Sequence, residues 1–230
     1  MPALHPRDAV RGSPIAAVVL TGAEIDQVAG LLHLREGTAF SVFATAESLE
    51  AIRRNEMFRA LSAVTWMTVT AEKAFQLTGG IHAELFMVPG KVPLYLEGDK
   101  PDKKEVSGVN VGLELGYQGK TLLFMPGVAD VSEELSCRLA KADVVLFDGT
   151  LFTDDEMIRA GTGVKTGRRM GHMPIAGDDG TLRRLAGLRA RKIFIHINNT
   201  NPILIDGSPE RRRIIEAGWE VAEDGMEIIL

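Results

Sequence analysis

The sequence has little of several residue types, and each shortage excludes a class of protein. Its 230 residues include one cysteine, Cys137, so an intrachain disulfide or a thiolate-rich metal site is excluded. No apolar stretch approaches the roughly 20 residues that span a bilayer, and the first residues lack the apolar run of a secretory signal. The net charge of -5 argues against a nucleic-acid partner, because binding phosphates favours a basic surface. We therefore expect a cytoplasmic protein without membrane insertion.

Several catalytic motifs are also absent. There is no G-x-G-x-x-G or Walker loop, so the sequence predicts no nucleotide cofactor. There is no G-x-S-x-G elbow, so Ser-His-Asp hydrolysis has no support. The apolar content of 45% and the charged content of 25% are those of an ordinary globular protein. We expect a single domain over residues 1–230.

Hydrophobic periodicity predicts strands and short helices in mixed order. Short, continuous apolar runs such as "AAVVL", "DVVLF" and "RKIFI" predict buried strands. We also predict a helix over residues 26–35, a helix capped by Thr45, a hairpin turning at Gln118-Gly119, a helix from Ser208 to Gly218, and a terminal hairpin turning at Asp224-Gly225. This mixture predicts an α/β fold with two mixed sheets packed together and helices outside.

Three of the predicted strands end in polar clusters, "TGAEID", "DGTLFTDDE" and "HINNTN". Sites in α/β folds collect at strand ends, where loops converge. His196 interrupts an apolar strand, and its pattern fits either a metal ligand or a core histidine held by backbone groups. Asp148 fits either a ligand for a hard cation or a turn residue before glycine.

The segment "GTGVKTGRRMGHM" is the most unusual in the chain. Glycines alternate with Lys165, Arg168, Arg169 and His172. Glycine permits close backbone approach and arginine binds carboxylates bidentately, so the segment suits an anionic small molecule. The other interpretation is a flexible, solvated basic loop. Cys137, on a predicted helix with apolar neighbours, is expected to be a buried small hydrophobe.

With these segments in view, the chain resembles the pyrroloquinoline quinone (PQQ) biosynthesis protein B family, a branch of the metallo-β-lactamase superfamily. The resemblance runs along essentially the whole chain and is most specific in "DGTLFTDDEM", "TGRRMGHM" and "HINNTNP". It implies an αββα sandwich with the site at one edge of the two sheets, and a role in making the redox cofactor PQQ. It also implies a missing N-terminal segment, since family members usually begin with further strands and a cysteine cluster.

The same resemblance implies where metal ligands would lie. The superfamily loop H-x-H-x-D-H falls on Gly22, Glu24, Asp26 and Gln27, so only Asp26 keeps the superfamily residue. The third-ligand position falls on Lys91, and the last histidine ligand falls on His196. His172 lies in a "GH" motif like one near the active site of the tRNA-maturation branch. A two-zinc hydrolase centre is disfavoured, because it needs several more imidazoles.

Two functions follow as expectations. The first is a ferrous-iron-dependent oxygenase that hydroxylates the tyrosine of a glutamate-tyrosine unit cut from a precursor peptide. The second is a non-catalytic carrier that moves PQQ or its precursor toward the periplasm, and a residual metallo-hydrolase ranks last. The expected metal ligands are Asp26, His196 and Glu24, and the expected catalytic residues are Asp148 and His172. The expected substrate-binding residues are Lys165, Arg168, Arg169, Asn198 and Asn199. Expected partners are the small-molecule or dipeptide precursor, other PQQ biosynthesis proteins and a second copy in a homodimer.

Overall fold

The structure is a computed structural model, and it describes residues 12–90 and 108–230 together with residues 4, 6 and 10. Its strands form two sheets, one of three strands and one of seven. The strands are β1 Ala17–Val19, β2 Phe40–Ala44, β3 Val64–Thr68, β4 Phe75–Gln76, β5 His82–Met87, β6 Val111–Tyr117, β7 Lys120–Met125, β8 Val144–Asp148, β9 Arg191–Ile195 and β10 Trp219–Val221. The helices are α1 Ile25–Val28, α2 Ala46–Arg53, α3 Glu133–Leu139, α4 Glu156–Arg159, α5 Gly167–Met170, α6 Thr181–Arg184 and α7 Pro209–Glu216.

The sheets differ in strand direction. In the smaller sheet, β1, β2 and β3 are parallel. In the larger sheet, the neighbours from β4 to β7 are antiparallel and those from β7 to β10 are parallel, so this sheet is mixed as predicted. The predicted hairpin is confirmed between β6 and β7, with positive φ at Gln118 and Gly119.

Three apolar layers hold the fold together. The alternating residues Phe40, Val42 and Ala44 of β2 pack against the helices that cover the smaller sheet. Between the sheets, β1 meets β5 and β6, and the rings of Phe43 and Phe75 stack at 5.2 Å. On the far face of the larger sheet, β8 and β9 pack against α3 and α7. The order is helix, sheet, sheet, helix, which confirms the predicted α/β sandwich.

Local sequence explains most helix boundaries. Thr45 accepts a hydrogen bond from the Ser48 amide at the start of α2, so its predicted capping role is confirmed. Ser208 caps α7 in the same way, with proline in its first turn. The helix predicted over 26–35 is shorter than expected: α1 makes one α-helical turn and then tightens into a 3₁₀ helix over Ala29–Leu34.

Two sequence predictions were wrong. The terminal segment forms one strand, β10, parallel to β9, and no strand follows Asp224-Gly225. Ile229 and Leu230 are exposed, so the apolar residues after this turn do not pack against a sheet as a second strand would. Cys137 is exposed, because Leu135 and Leu139 occupy the buried side of α3. Lys91 and most of the predicted charged loop lie outside the described residues. Within the part described, no helix is long and apolar enough to cross a membrane.

Candidate metal centre

The register of two parallel strands brings the first two site residues together. Asp148 is the last residue of β8 and pairs with Ile195, the last residue of β9. His196 follows immediately, so it lies beside Asp148 at the carboxyl edge of the larger sheet. The loop after β1 approaches from the smaller sheet, where Gly22 forms an isolated bridge with Asn110. The two sheets therefore meet at this edge.

Asp148 is fully buried, and its carboxylate is saturated with hydrogen bonds. Oδ1 accepts from the Thr150 amide at 3.0 Å and from the Thr150 hydroxyl at 2.6 Å. Oδ2 accepts from the Val128 amide at 2.9 Å and lies 2.6 Å from Nδ1 of His172. A carboxylate offers about four acceptor positions, so these contacts use them all. Asp148 is thus suited to orienting its neighbours.

His172 follows α5, which ends at Gly171 in the left-handed conformation. Its ring stacks with that of His196 at a centroid distance of 5.2 Å. One ligand atom from each of Asp148, His172 and His196 lies within 4.8 Å of the others. Two imidazoles and one carboxylate are a donor set that suits a transition metal such as iron or zinc.

His196 is held by contacts on both ring nitrogens. Nδ1 lies 2.8 Å from the hydroxyl of Thr150, and Nε2 lies 2.8 Å from Oδ2 of Asp26. Its backbone has a φ of 52°, in the left-handed region that histidine enters more readily than most residues. Such conformations cluster at functional sites, because the surrounding structure must hold them in place.

The charges around His196 favour a cation. Burial alone would lower the pKa of His196, but the hydrogen bond with Asp26 and the charge of Asp148 raise it above the ordinary value. The hydrogen bond with His196 in turn lowers the pKa of Asp26. Burial would raise the pKa of the Asp148 carboxyl, yet the neighbouring His172 and His196 hold it below its usual range. The carboxylates are therefore ionised, and their field favours positive charge between them.

Gln27 provides an independent test of whether the site fits a metal. Its Oε1 atom is buried and has no hydrogen-bond partner in the described residues. An unpaired buried acceptor is costly, so such an atom calls for a hydrogen-bond donor or a cation. Gln27 borders the same cavity as Asp26 and His196. The donor set together with this unpaired oxygen fits a bound divalent metal.

A cavity of about 450 Å³ opens beside these groups. This volume falls within the range of small-molecule sites. Among the described residues, its wall combines the apolar side chains Met157, Val164 and Met170 with the cation Lys165. The polar side of the cavity contains Glu24, Asp26, Gln27, Asn110, His172 and His196.

The structure separates the predicted site residues into two groups. The first group borders the cavity and comprises Glu24, Asp26, Lys165, His172 and His196. Asp148 does not border the cavity but contacts Nδ1 of His172. The other predicted substrate-binding residues do not border it: Arg168, Arg169, Asn198 and Asn199. Arg168 donates its backbone amide to Asp154, and both arginines are exposed on α5. Asn198 donates to Thr200 at 2.9 Å within its own loop.

Sequence reasoning missed Thr150 and Asn110. Thr150 lies within the quoted "DGTLFTDDE" segment, but it was given no role. Its hydroxyl contacts Asp148 and both histidines, which only the pairing of β8 with β9 reveals. Glu156, the first residue of α4, is buried and accepts hydrogen bonds from the Phe152 amide and the Thr200 hydroxyl. It thereby ties together the two loops that bear the site.

Comparison with known proteins agrees with this architecture. Residues 1–197 match the family model described as beta-lactamase superfamily domain. The chain is 52% identical to coenzyme PQQ synthesis protein B of Ruegeria pomeroyi over 229 residues, which cover 99% of this chain and 77% of that protein. It is 47% identical to the protein of the same name from Methylobacterium nodulans, covering 100% of this chain and 78% of that one.

A solved structure is similar over the same range. It is the zinc-bound PqqB from Methylobacterium extorquens, with a TM-score of 0.95 and 44% identity, covering 99% of this chain and 77% of that chain. Fold and site thus define a domain of the beta-lactamase superfamily. Within that superfamily, the chain belongs to the coenzyme PQQ synthesis protein B family. The resemblance and the fold class predicted from the sequence are both confirmed.

Proposed function

We propose that the chain takes part in PQQ synthesis as an iron-dependent oxygenase that hydroxylates the tyrosine of a glutamate-tyrosine precursor. The observation that carries the proposal is a pair of histidines with a carboxylate on each side. Ligand atoms of His172, His196 and Asp148 lie within 4.8 Å of one another, and Oδ2 of Asp26 lies 2.8 Å from Nε2 of His196. Two histidines and one carboxylate with open positions are typical of non-haem iron(II) oxygenases. The small number of imidazoles argues against a two-zinc hydrolase.

The metal would be held by His172, His196 and a carboxylate. Two carboxylates are candidates, and their environments differ. The Asp148 side chain is 0% exposed and its acceptor positions are filled, whereas the Asp26 side chain is 59% exposed and contacts Nε2 of His196. We therefore assign Asp26 as the carboxylate ligand and Asp148 as the group that orients the imidazoles. Glu24, on the same wall, adds negative charge near His196.

The lining of the cavity supports a substrate that carries an aromatic ring and a carboxylate. Its apolar wall of Met157, Val164 and Met170 suits an aromatic ring, and Lys165 supplies positive charge for a carboxylate. The overall reaction replaces a ring C–H bond with C–OH, and the second oxygen atom leaves as water with two electrons from an external reductant. Ferrous iron, if held by these residues, would make dioxygen reactive, and the external reductant would remain the net source of the two electrons. The chain's own residues bind and orient the ring, while Asp148 holds the Nδ1 proton of His172.

A product assay tests the proposal. The chain is purified without oxygen, loaded with ferrous iron and given a glutamate-tyrosine peptide, dioxygen and ascorbate, and the product is analysed by mass spectrometry. We expect a hydroxylated peptide, and loss of product in His172→Ala and His196→Ala. His82→Ala is a matched control, because His82 is exposed on β5 and outside the cavity. Undiminished product with His196→Ala would exclude the assigned site.

A carrier of PQQ is the second candidate, and Gln27 is the observation that favours it. An amide oxygen is a weaker ligand for a transition metal than the imidazole that the superfamily places there. Lys165 would serve the carboxylates of PQQ equally well. Calorimetric titration with PQQ in the presence of a chelator tests this candidate. Tight binding without iron, combined with no hydroxylated product, would favour the carrier.

A further inference from the structure

Thr150 lies at the centre of the hydrogen bonds that join the site residues. Its side chain is buried, and its Oγ1 lies 2.6 Å from Oδ1 of Asp148 and 2.8 Å from Nδ1 of His196. It also lies 3.1 Å from Nδ1 of His172 and 3.1 Å from the backbone oxygen of His196. A hydroxyl has one proton to donate, so these contacts cannot all be donated by Thr150.

The chemistry of the neighbours decides where that proton goes. The Asp148 carboxylate only accepts, and its contact with Oγ1 is the shortest of the four. Hydrogen bonds to a charged acceptor are also shorter and stronger than neutral ones. The hydroxyl proton therefore goes to Asp148, and a lone pair of Oγ1 faces Nδ1 of His196. Two lone pairs would repel at 2.8 Å, so Nδ1 must itself carry a proton and donate it.

We propose that Thr150 is a positioning residue that keeps the proton of His196 on Nδ1 and thereby makes Nε2 the metal-binding nitrogen. Nε2 lies 2.8 Å from Oδ2 of Asp26, the assigned carboxylate ligand, so without a metal it carries the second ring proton and donates it to Asp26. A bound metal would replace that proton, because Thr150 holds the proton on Nδ1. This inference rests on the metal-binding role proposed above. The inference names Thr150 as the group that selects the ligating nitrogen of His196. In a histidine ligand, the hydrogen bond made by one ring nitrogen leaves the other nitrogen to bind the metal.

The backbone of His196 supports the same arrangement. His196 has a left-handed φ of 52°, and its carbonyl oxygen lies 3.1 Å from Oγ1 of Thr150 without receiving the hydroxyl proton, which goes to Asp148. The amide of Asn198 in turn donates to the carbonyl of Thr150 at 3.1 Å. The Gly149 amide donates to the carbonyl of Ile195 at 2.8 Å, so the two loops are joined on both sides of Thr150. Thr150 is thus held in place by backbone contacts that a side-chain substitution would leave intact.

Zinc is a suitable probe, because it is diamagnetic and needs no dioxygen chemistry. In wild type labelled with ¹⁵N-histidine and loaded with zinc, we expect NMR to show His196 protonated on Nδ1 and coordinated through Nε2. Thr150→Val should weaken zinc binding by about 10–100-fold, the usual effect of losing a group that orients a ligand, while Thr150→Ser should stay within about threefold of wild type. Thr153→Val is a matched control, because the Thr153 hydroxyl bonds only Asp155 within the described residues.

The outcomes separate this inference from the proposed reaction. Coordination of His196 through Nδ1 in wild type would overturn it, as would Thr150→Val binding zinc with wild-type affinity. If Thr150→Val does not fold, the wild-type spectrum still decides the coordinating nitrogen. Failure of wild type to bind zinc would overturn both this inference and the metal centre. Zinc bound through Nε2 together with no hydroxylated peptide would contradict only the reaction.

Discussion

Gly22 provides the space that the amide of Gln27 occupies. A Cβ atom added at residue 22 would lie 2.5 Å from Oε1 of Gln27 and 3.2 Å from the backbone oxygen of Val109. The absence of a side chain at Gly22 leaves room for the side-chain amide of Gln27. The side chains that residues 22 and 27 can carry in the loop after β1 are therefore sterically coupled.

A coupled substitution tests this relationship. Gly22→Ala should reduce the free energy of unfolding by about 1–3 kcal/mol, because overpacking forces Gln27 and its neighbours to move. In a Gln27→Ala background the same change should cost much less, and urea denaturation measures the coupling. Gly187→Ala is the matched control, because nothing lies within 4 Å of its added Cβ. Equal costs in both backgrounds would mean that the two residues do not compete for space.

Gln27→Met separates stability from metal binding. Methionine has a similar shape but no buried acceptor, so the metal-free protein should gain about 1 kcal/mol, since an unsatisfied buried group costs about 1–3 kcal/mol. Zinc affinity should fall at the same time. Unfolding with chelator and with zinc measures both effects, and Gln76→Met, on an exposed residue of β4, is the control. A metal-free protein that loses stability on this change would contradict our assessment of the unpaired oxygen.

The two carboxylates should respond in opposite ways. Asp148→Asn should cost the metal-free protein about 3–5 kcal/mol, the usual result of breaking a buried charged pair. Asp26→Asn should cost less than about 1 kcal/mol, because the Asp26 side chain is 59% exposed, yet it should lose most zinc affinity. Denaturation and calorimetry on both variants make the comparison. If Asp26→Asn binds zinc with wild-type affinity, the carboxylate ligand would be Asp148 and not Asp26.

An ion-pair cluster away from the site offers a separate stability test. Arg138 of α3 lies within 2.9 Å of carboxylate oxygens of Glu72, Glu84 and Glu114, and its guanidinium stacks over the ring of Phe86. Arg138→Met would leave three carboxylates without their shared cation.

We expect that change to reduce the free energy of unfolding by about 1–3 kcal/mol, with zinc affinity unchanged. Arg159→Met, on an exposed position of α4, should have little effect on either. Denaturation at low and high salt gives the comparison, and the loss should shrink in high salt as the carboxylates are screened. A loss of zinc binding in Arg138→Met would show that the cluster supports the site.

Much of the fold was predictable because local signals agreed with the final packing. The apolar runs of β2, β8 and β9 are continuous or alternate cleanly, and Thr45 and Ser208 are standard helix caps. The terminal hairpin failed because a turn signal at Asp224-Gly225 does not require a strand after it. Cys137 was misplaced because adjacent apolar residues on a helix do not share a face.

The site was only partly predictable, for a physical reason. Asp148 and His196 stood out because polar residues that end apolar strands are conspicuous. The role of Thr150 depends on strand register and on rotamers, which no sequence pattern specifies. Arg168 and Arg169 are conspicuous in the sequence as charges, but both are exposed on α5 and do not border the cavity, whereas Lys165 does.

The central claim is that this chain holds a catalytic metal despite Gln27, and iron stoichiometry tests it most directly. The protein would be purified without oxygen, reconstituted with ferrous iron, passed over a desalting column and assayed for iron and zinc. We expect about one tightly held iron per chain, and loss of that iron in His196→Ala but not in His82→Ala. Iron absent from the wild type after reconstitution, or equally retained by His196→Ala, would contradict it.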